Sequence, residues 1–208
     1  MTPTISEASE REHARVTTVE IDPDELDAAI AAVHDRLVPD ALKRAGLLGA
    51  YWFAERSESL LVRVDFFDTA ERLRAARVNS ATRYEGGHVK AIDGYELVAD
   101  TGPAISPTAQ FCRSLVWQED PNQFDQAVRR VKDHVLPGVR SNIGFQAGFW
   151  LIDRVTGRSA GFTLWDTAEN LHTSGQIGRQ VRREPIQQGD MQVHSLHEYE
   201  IVARTPTR

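Results

Sequence analysis

The chain repeats itself at an interval of 98 residues. Asp22-Pro23 returns as Asp120-Pro121, Val33-His34-Asp35 as Val131-Lys132-Asp133, and Pro39 as Pro137. Gly46 returns as Gly144, Tyr51-Trp52 as Phe149-Trp150, and Phe67-Asp68-Thr69-Ala70-Glu71 as Trp165-Asp166-Thr167-Ala168-Glu169. A fixed period as long as a small domain confines the fold to two copies of one unit. With 208 residues, each copy has roughly 100, enough for one small core. The closing runs Tyr95-Glu96-Leu97-Val98-Ala99 and Tyr199-Glu200-Ile201-Val202-Ala203 stand 104 apart, so copy two carries six extra residues near Glu184 to Asp190. The copies are expected at 13–99 and 111–203, joined by a linker over 100–110 (D-T-G-P-A-I-S-P-T-A-Q).

Within a copy the order of elements is legible. Arg15 to Ile21 alternates and is rich in β-branched residues, which predicts a strand. Asp22-Pro23-Asp24-Glu25 predicts a helix start, with Asp as cap and Pro in the first turn. Leu26, Ala29, Ile30, Val33 and Leu37 then form one apolar stripe, repeated as Phe124, Ala127, Val128, Val131 and Val135. Pro39 and Pro137 should end or bend these helices. Two strands and a hairpin follow in each copy, with turns at Arg56-Ser57-Glu58 and Val155-Thr156-Gly157. Asp-Thr-Ala-Glu then predicts a capped second helix, over 69–83 and 167–183, before a last strand. This strand–helix–strand–strand–helix–strand order is ferredoxin-like, so the fold class is α+β. Helices cover one sheet face, and strands such as Leu60-Leu61-Val62 are apolar on both sides, so the other face must also be buried. The expectation is two ferredoxin-like halves packed as one barrel-like pseudo-dimer, their sheets flanking a cavity.

Bulk properties exclude several function classes. A net charge of −6 opposes a general nucleic-acid binder, and the cluster Arg179, Arg182, Arg183 reads as a solvated helix face. One cysteine, Cys112, rules out a disulfide framework or a multi-cysteine metal site. No signal-peptide pattern or membrane-length apolar run is present, so a cytoplasmic location is expected. The chain contains no G-x-G-x-x-G, no phosphate-binding loop and no nucleophile elbow, and no cofactor is expected. His194 and His197 fall on opposite strand faces, which disfavours a shared metal.

The runs Gly144 to Arg158 and Ser159 to His172, strand, hairpin, strand and a Trp-Asp-Thr-x-Glu helix start, resemble the dimeric α+β barrel superfamily in its antibiotic-biosynthesis-monooxygenase-like branch. The resemblance spans nearly the whole chain as two tandem copies. It implies a cofactor-independent monooxygenase acting on an aromatic or polyketide-like molecule, with a non-catalytic ligand-binding protein or a cyclase or isomerase as alternatives. Haem-degrading relatives carry an Asn-Trp pair and a haem-ligating His on the second helix. Here Asn79, Asn122, Asn142 and Asn170 lack an adjacent Trp.

Differences between the copies point to one asymmetric site. His172, where copy one has Arg74, is the candidate base for deprotonating a phenol. Arg63 and Asp65 alternate with Val62, Val64 and Phe66; if the apolar set packs on the helices, the charged pair enters the space between the sheets and orients substrate. Their partners in copy two are Gly161 and Thr163, which leave room instead of charge. Trp117 and Trp165 replace Val19 and Phe67 and are candidate walls of an aromatic pocket. Trp52 and Trp150, shared by both copies, read as scaffold. The expected partner is a small aromatic molecule, with further homo-oligomerisation open.

Overall fold

The computed structural model describes residues 12–78, 84, 86–101, 105–188 and 191–205, and in the last helix the side chains as far as 176 with 178 and 179. It divides into two units, residues up to Leu97 with Glu200 onward, and Val98–Tyr199.

The N-terminal unit runs β1 (His13–Ile21), a 3-10 turn (Pro23–Glu25), α1 (Leu26–Ala32), a π-helical turn (Val33–Leu37), α2 (Val38–Leu42), β2 (Leu47–Glu55), β3 (Leu60–Phe67), α3 (Ala70–Val78) and β4 (Gly87–Asp100). Its strand order is β4-β1-β3-β2, antiparallel throughout. β2 also pairs with Glu200–Arg204, at the end of the last strand. The C-terminal unit repeats the series: β5 (Phe111–Gln118), a 3-10 turn (Pro121–Gln123), α4 (Phe124–Arg130), a π-helical turn (Val131–Val135), α5 (Leu136–Arg140), β6 (Phe145–Asp153), β7 (Arg158–Trp165), α6 (Ala168–Gln188) and β8 (Gln192–Arg204). Its strand order, β8-β5-β7-β6, is the same. No helix or strand occurs among the described residues of 101–110.

Each proline was expected to end or bend its helix, and the chain instead passes through it. Pro39 and Pro137 have no N–H to return to the preceding turn. The π turn just before each one widens the helix there and carries it on. Threonine, not aspartate, caps the second helices: Thr69 Oγ1 accepts from the Arg72 N–H and Thr167 Oγ1 from the Asn170 N–H, each at 3.2 Å. Asp22 makes no side-chain cap, whereas Asp120 accepts from the Asn122 N–H at 2.9 Å. Helix α3 is described to Val78; the expected stretch 79–83 lies outside the described residues. The six extra residues of copy two fall at the end of α6 and just after it.

Gly46 and Gly144 show what the repeat requires of the backbone. Both adopt positive φ, +74° and +80°, where a Cβ is disfavoured. Each carbonyl accepts from the N–H of the aspartate before the second helix, Asp68 at 3.2 Å and Asp166 at 3.0 Å.

The expected burial on both faces holds at the central strands: every residue of β3 is buried, as is all of β7 but Arg158 and Thr163, whereas β4 and β8 are largely exposed or half-buried. On the helix-facing side of the N-terminal unit, Val19, Ile21, Trp52, Leu61 and Phe67 pack on Leu26, Ala29, Val33, Leu37 and Leu73. The opposite faces are aromatic and aliphatic: Tyr51 stacks on Phe53 at 5.4 Å between centroids, and Phe149 on Phe162 at 4.8 Å. Among the described residues, no helix is long and apolar enough to cross a membrane.

Candidate functional site

The first residue to place is an arginine that both halves share. Arg15 on β1 and its counterpart Arg113 on β5 point under the second helix of their own unit. Arg15 Nη1 donates to the Ala76 carbonyl at 2.7 Å. Arg113 Nη1 donates to Ser174 Oγ at 2.6 Å and Nη2 to the Leu171 carbonyl. A buried guanidinium needs acceptors for its N–H groups, which helix carbonyls and a serine hydroxyl supply here, and it needs a counter-charge. The halves supply that charge differently. Asp65 on β3 serves Arg15, with Nε to Oδ2 at 3.1 Å. Thr163 occupies that position in copy two, and Glu198 on β8 serves Arg113, with Nη2 to Oε1 at 2.6 Å.

Around Asp65 the N-terminal unit is filled. Arg63 Nε donates to Asp65 Oδ1 at 2.7 Å, and its guanidinium lies 4.8 Å from the centre of the Trp52 ring. Arg44 Nη1 stands 3.8 Å from Asp65 Oδ2. Three guanidiniums therefore face one carboxylate that is fully buried. Burial, and then repulsion from Arg63, lowers the Arg44 pKa, and burial raises that of the nearby Tyr84 hydroxyl. Arg63 and Asp65 were expected on the face away from the helices. The structure puts them on the helix-facing side with Leu61 and Phe67, while Val62, Val64 and Phe66 take the other face. The apolar alternation was read correctly and its direction was not. A strand buried on both faces gives no polarity cue; here Leu61 and Phe67 pack with the helices and Arg15 ties Asp65 to α3 on that same side.

In the C-terminal unit the same positions enclose space. A cavity of about 150 Å³ lies between its helices and its sheet. Trp117, Trp150, Gly161, Thr163 and Trp165 line it from the strands. Ala127, Arg130, Val131, Val135, Gly138, Val139 and Asn142 line it from α4 to just past α5, and Arg113, Leu115, Glu119, Ser174, Gly178 and Met191 complete it. The substitutions that open it are local: Gly161 for Arg63, Thr163 for Asp65, Gly138 for Asp40 and Asn142 for Arg44. A Cβ on Gly161 would stand 3.1 Å from Trp150 Nε1 and 3.3 Å from Trp117 Cζ3, so the missing side chain lets two indoles close over the strand. A Cβ on Gly138 would meet nothing within 4 Å. Trp165 Nε1 donates to Thr163 Oγ1 at 3.1 Å, leaving the threonine hydroxyl proton for a guest. The lining is otherwise overwhelmingly apolar, and an apolar cavity of this size takes about one benzene-sized ring.

Of the residues expected at the site, Trp117 and Trp165 do line this cavity. Arg63 and Asp65 are in the other unit, bound to one another. His172 is exposed on α6 and is not part of the lining. A helical position three residues after Glu169 carries no information on which way the ring points until the helix is docked. The cavity lies on the helix side of one sheet, whereas the expectation set it on the opposite face. Sequence reasoning missed Arg113, Arg130, Gly138 and Trp150. Arg130 and Gly138 were readable from the same comparison of copies, as replacements of Ala32 and Asp40. Trp150 was set aside because both copies have it, yet the same indole is core in one half and cavity wall in the other.

A haem is implied for some of the relatives the sequence resembles, and this cavity does not suit one. Its lining has no His, Cys or Tyr, and residues 177 and 180–190 contain none in sequence either. Among the described residues no group of His, Cys, Asp and Glu is arranged to hold a metal ion.

No family model matches the chain. An uncharacterised protein of Mycobacterium tuberculosis is 25% identical over 165 residues, 76% of this chain and 73% of that protein. Among solved structures, an anthrone oxidase-like protein superposes with a TM-score of 0.69 at 13% identity, over 95% of this chain and 94% of that one. A ferredoxin-fold protein related to antibiotic biosynthesis monooxygenases, from Listeria monocytogenes, superposes with a TM-score of 0.59 at 7% identity, over 95% of this chain and 98% of the other.

Proposed function

We propose that the chain, whose fold is similar to that of antibiotic-biosynthesis-monooxygenase-related proteins, binds a small aromatic molecule at one site, the cavity of its C-terminal half. The observation that carries this reading is the cavity itself: three tryptophans and a ring of aliphatic side chains around about 150 Å³. Trp117 and Trp165 form its aromatic walls, and Thr163 offers a hydroxyl to a guest. Arg113 holds β5 against α6 and is a positioning residue, since all its described hydrogen bonds are to the protein.

This lining is compatible with binding without turnover and with oxygenation. A cofactor-independent oxygenase must deprotonate its substrate; the lining has no imidazole, and Glu119 is its one carboxylate. The oxygenase reading is supported by the fold and by a neighbour named for anthrone oxidation. The two separate cleanly. Quenching of tryptophan fluorescence by single-ring aromatics reports binding, and an oxygen electrode with an anthrone or quinol reports turnover. Saturable quenching with no oxygen uptake supports the binding reading. Oxygen uptake that is lost when the cavity is blocked supports the oxygenase. No quenching by any ring compound overturns both.

A further inference from the structure

Arg130 is the one charged side chain on the cavity lining that makes no hydrogen bond or ion pair among the described residues. Its neighbours on the lining are committed. Arg113 is neutralised by Glu198 and tied to Ser174 and Leu171. Glu119 is already engaged within the protein. The Asn142 amide nitrogen donates to the carbonyls of Gly138 and Val139, at 2.8 and 3.1 Å.

Position and ancestry within the repeat give Arg130 its meaning. The strand residues at the base of the cavity, Trp117, Trp150 and Trp165, are buried, whereas Arg130, Val135, Gly138, Val139 and Asn142 are partly exposed and mark its mouth. The counterpart of Arg130 in copy one is Ala32. The half that opens the cavity is therefore the half that gains a cation at its rim. A partly desolvated guanidinium beside an apolar hole recognises a ligand with an apolar body and an anionic end, because its planar fork accepts a carboxylate with two parallel hydrogen bonds.

We propose that the ligand is an aromatic monoanion, its ring seated among the tryptophans and its carboxylate on Arg130 at the mouth. This rests on the cavity being the binding site, and the test keeps the two apart. The probes are 4-ethylbenzoate, 4-ethylbenzamide and 4-ethylbenzylamine, which share one ring and differ in charge, titrated near neutral pH into the full chain by tryptophan fluorescence. The wild type should favour the benzoate over the benzamide by roughly three- to tenfold, the range for a half-exposed ion pair. Arg130→Gln should erase that preference by weakening the benzoate alone, Arg130→Lys should keep part of it, and added salt should shrink it. Because Arg130 makes no hydrogen bond or ion pair among the described residues, these variants should fold as the wild type does, which circular dichroism checks. Equal affinity for benzoate and benzamide, or preference for the amine, would overturn the assignment and leave the cavity to a neutral or cationic ligand; a benzoate preference that survives Arg130→Gln would overturn Arg130 as the carboxylate's partner. Failure of all three probes to bind would overturn the binding site together with it.

Discussion

In the N-terminal half, Arg15, Arg44 and Arg63 close around Asp65 beneath the helices; in the C-terminal half the positions of Arg63 and Asp65 hold glycine and threonine, and three indoles surround a space instead. The frames are nearly the same: strand order, π turn, proline, left-handed glycine and threonine cap all recur. Even the exposed ion pair from the hairpin recurs, Arg56 with Asp27 and Arg154 with Asp125. The contrast teaches that a ferredoxin-like half can cover its sheet either with a polar cluster or with a wall around a hole. The choice turns on four or five side chains.

The most damaging way to probe that contrast is to remove the counter-charge. Asp65→Thr, which copies the C-terminal residue, leaves the buried guanidiniums of Arg15 and Arg63 and the partly exposed one of Arg44 without their carboxylate. It should cost about 3–5 kcal/mol in chemical denaturation of the full chain. Glu198→Gln, the matching change in the other half, should cost no more than about 1 kcal/mol, because Glu198 is 39% exposed and Arg113 keeps Ser174 and Leu171. Equal costs would mean that the two clusters are equivalent after all.

Next in size is a change that fills the hole. Gly138→Leu grows from a helix into the mouth, where nothing stands in its way. It should lower affinity for single-ring aromatics by at least about tenfold, and leave stability equal or raised by up to about 1 kcal/mol as a helical glycine is replaced. Undiminished binding would place the ligand elsewhere.

A smaller effect appears in alkali. Burial pushes the Cys112 thiol well above its ordinary range. The folded state therefore favours the neutral thiol, so this contribution to stability is full below about pH 8.5 and is lost as pH rises from there toward the folded value. Cys112→Ala, which restores the residue of copy one (Ala14), should flatten the fall in stability above that pH, read from melting temperatures at a series of pH values. An identical slope would contradict the assignment. Smallest of all, His172→Ala should leave aromatic binding unchanged, since that ring is outside the lining; a marked loss would restore His172 to the site.

Much of this was legible in the amino-acid sequence. The 98-residue echo and the alternating β-branched runs give the order of elements, and the swaps of Val19 for Trp117 and Phe67 for Trp165 pick out two walls of the cavity. What could not be read was direction. Val62, Val64 and Phe66 are as apolar as Leu61 and Phe67, so alternation separates two faces of β3 without saying which one meets the helices. Glu198 as partner of Arg113 was equally hidden: at the 104-residue offset it stands where copy one has Gly94, and nothing in that swap says which arginine the new carboxylate meets. Trp150 shows the limit of treating shared residues as scaffold: its surroundings changed while it did not.

The central claim is that one half of the duplicated frame holds a ligand and the other holds itself together. A crystal structure of the full chain soaked with 4-ethylbenzamide, the uncharged probe, tests it most directly. The account predicts one bound ring per chain, among Trp117, Trp150 and Trp165. A ring against Trp52 and Arg63 in the N-terminal half, or rings in both halves, would contradict it.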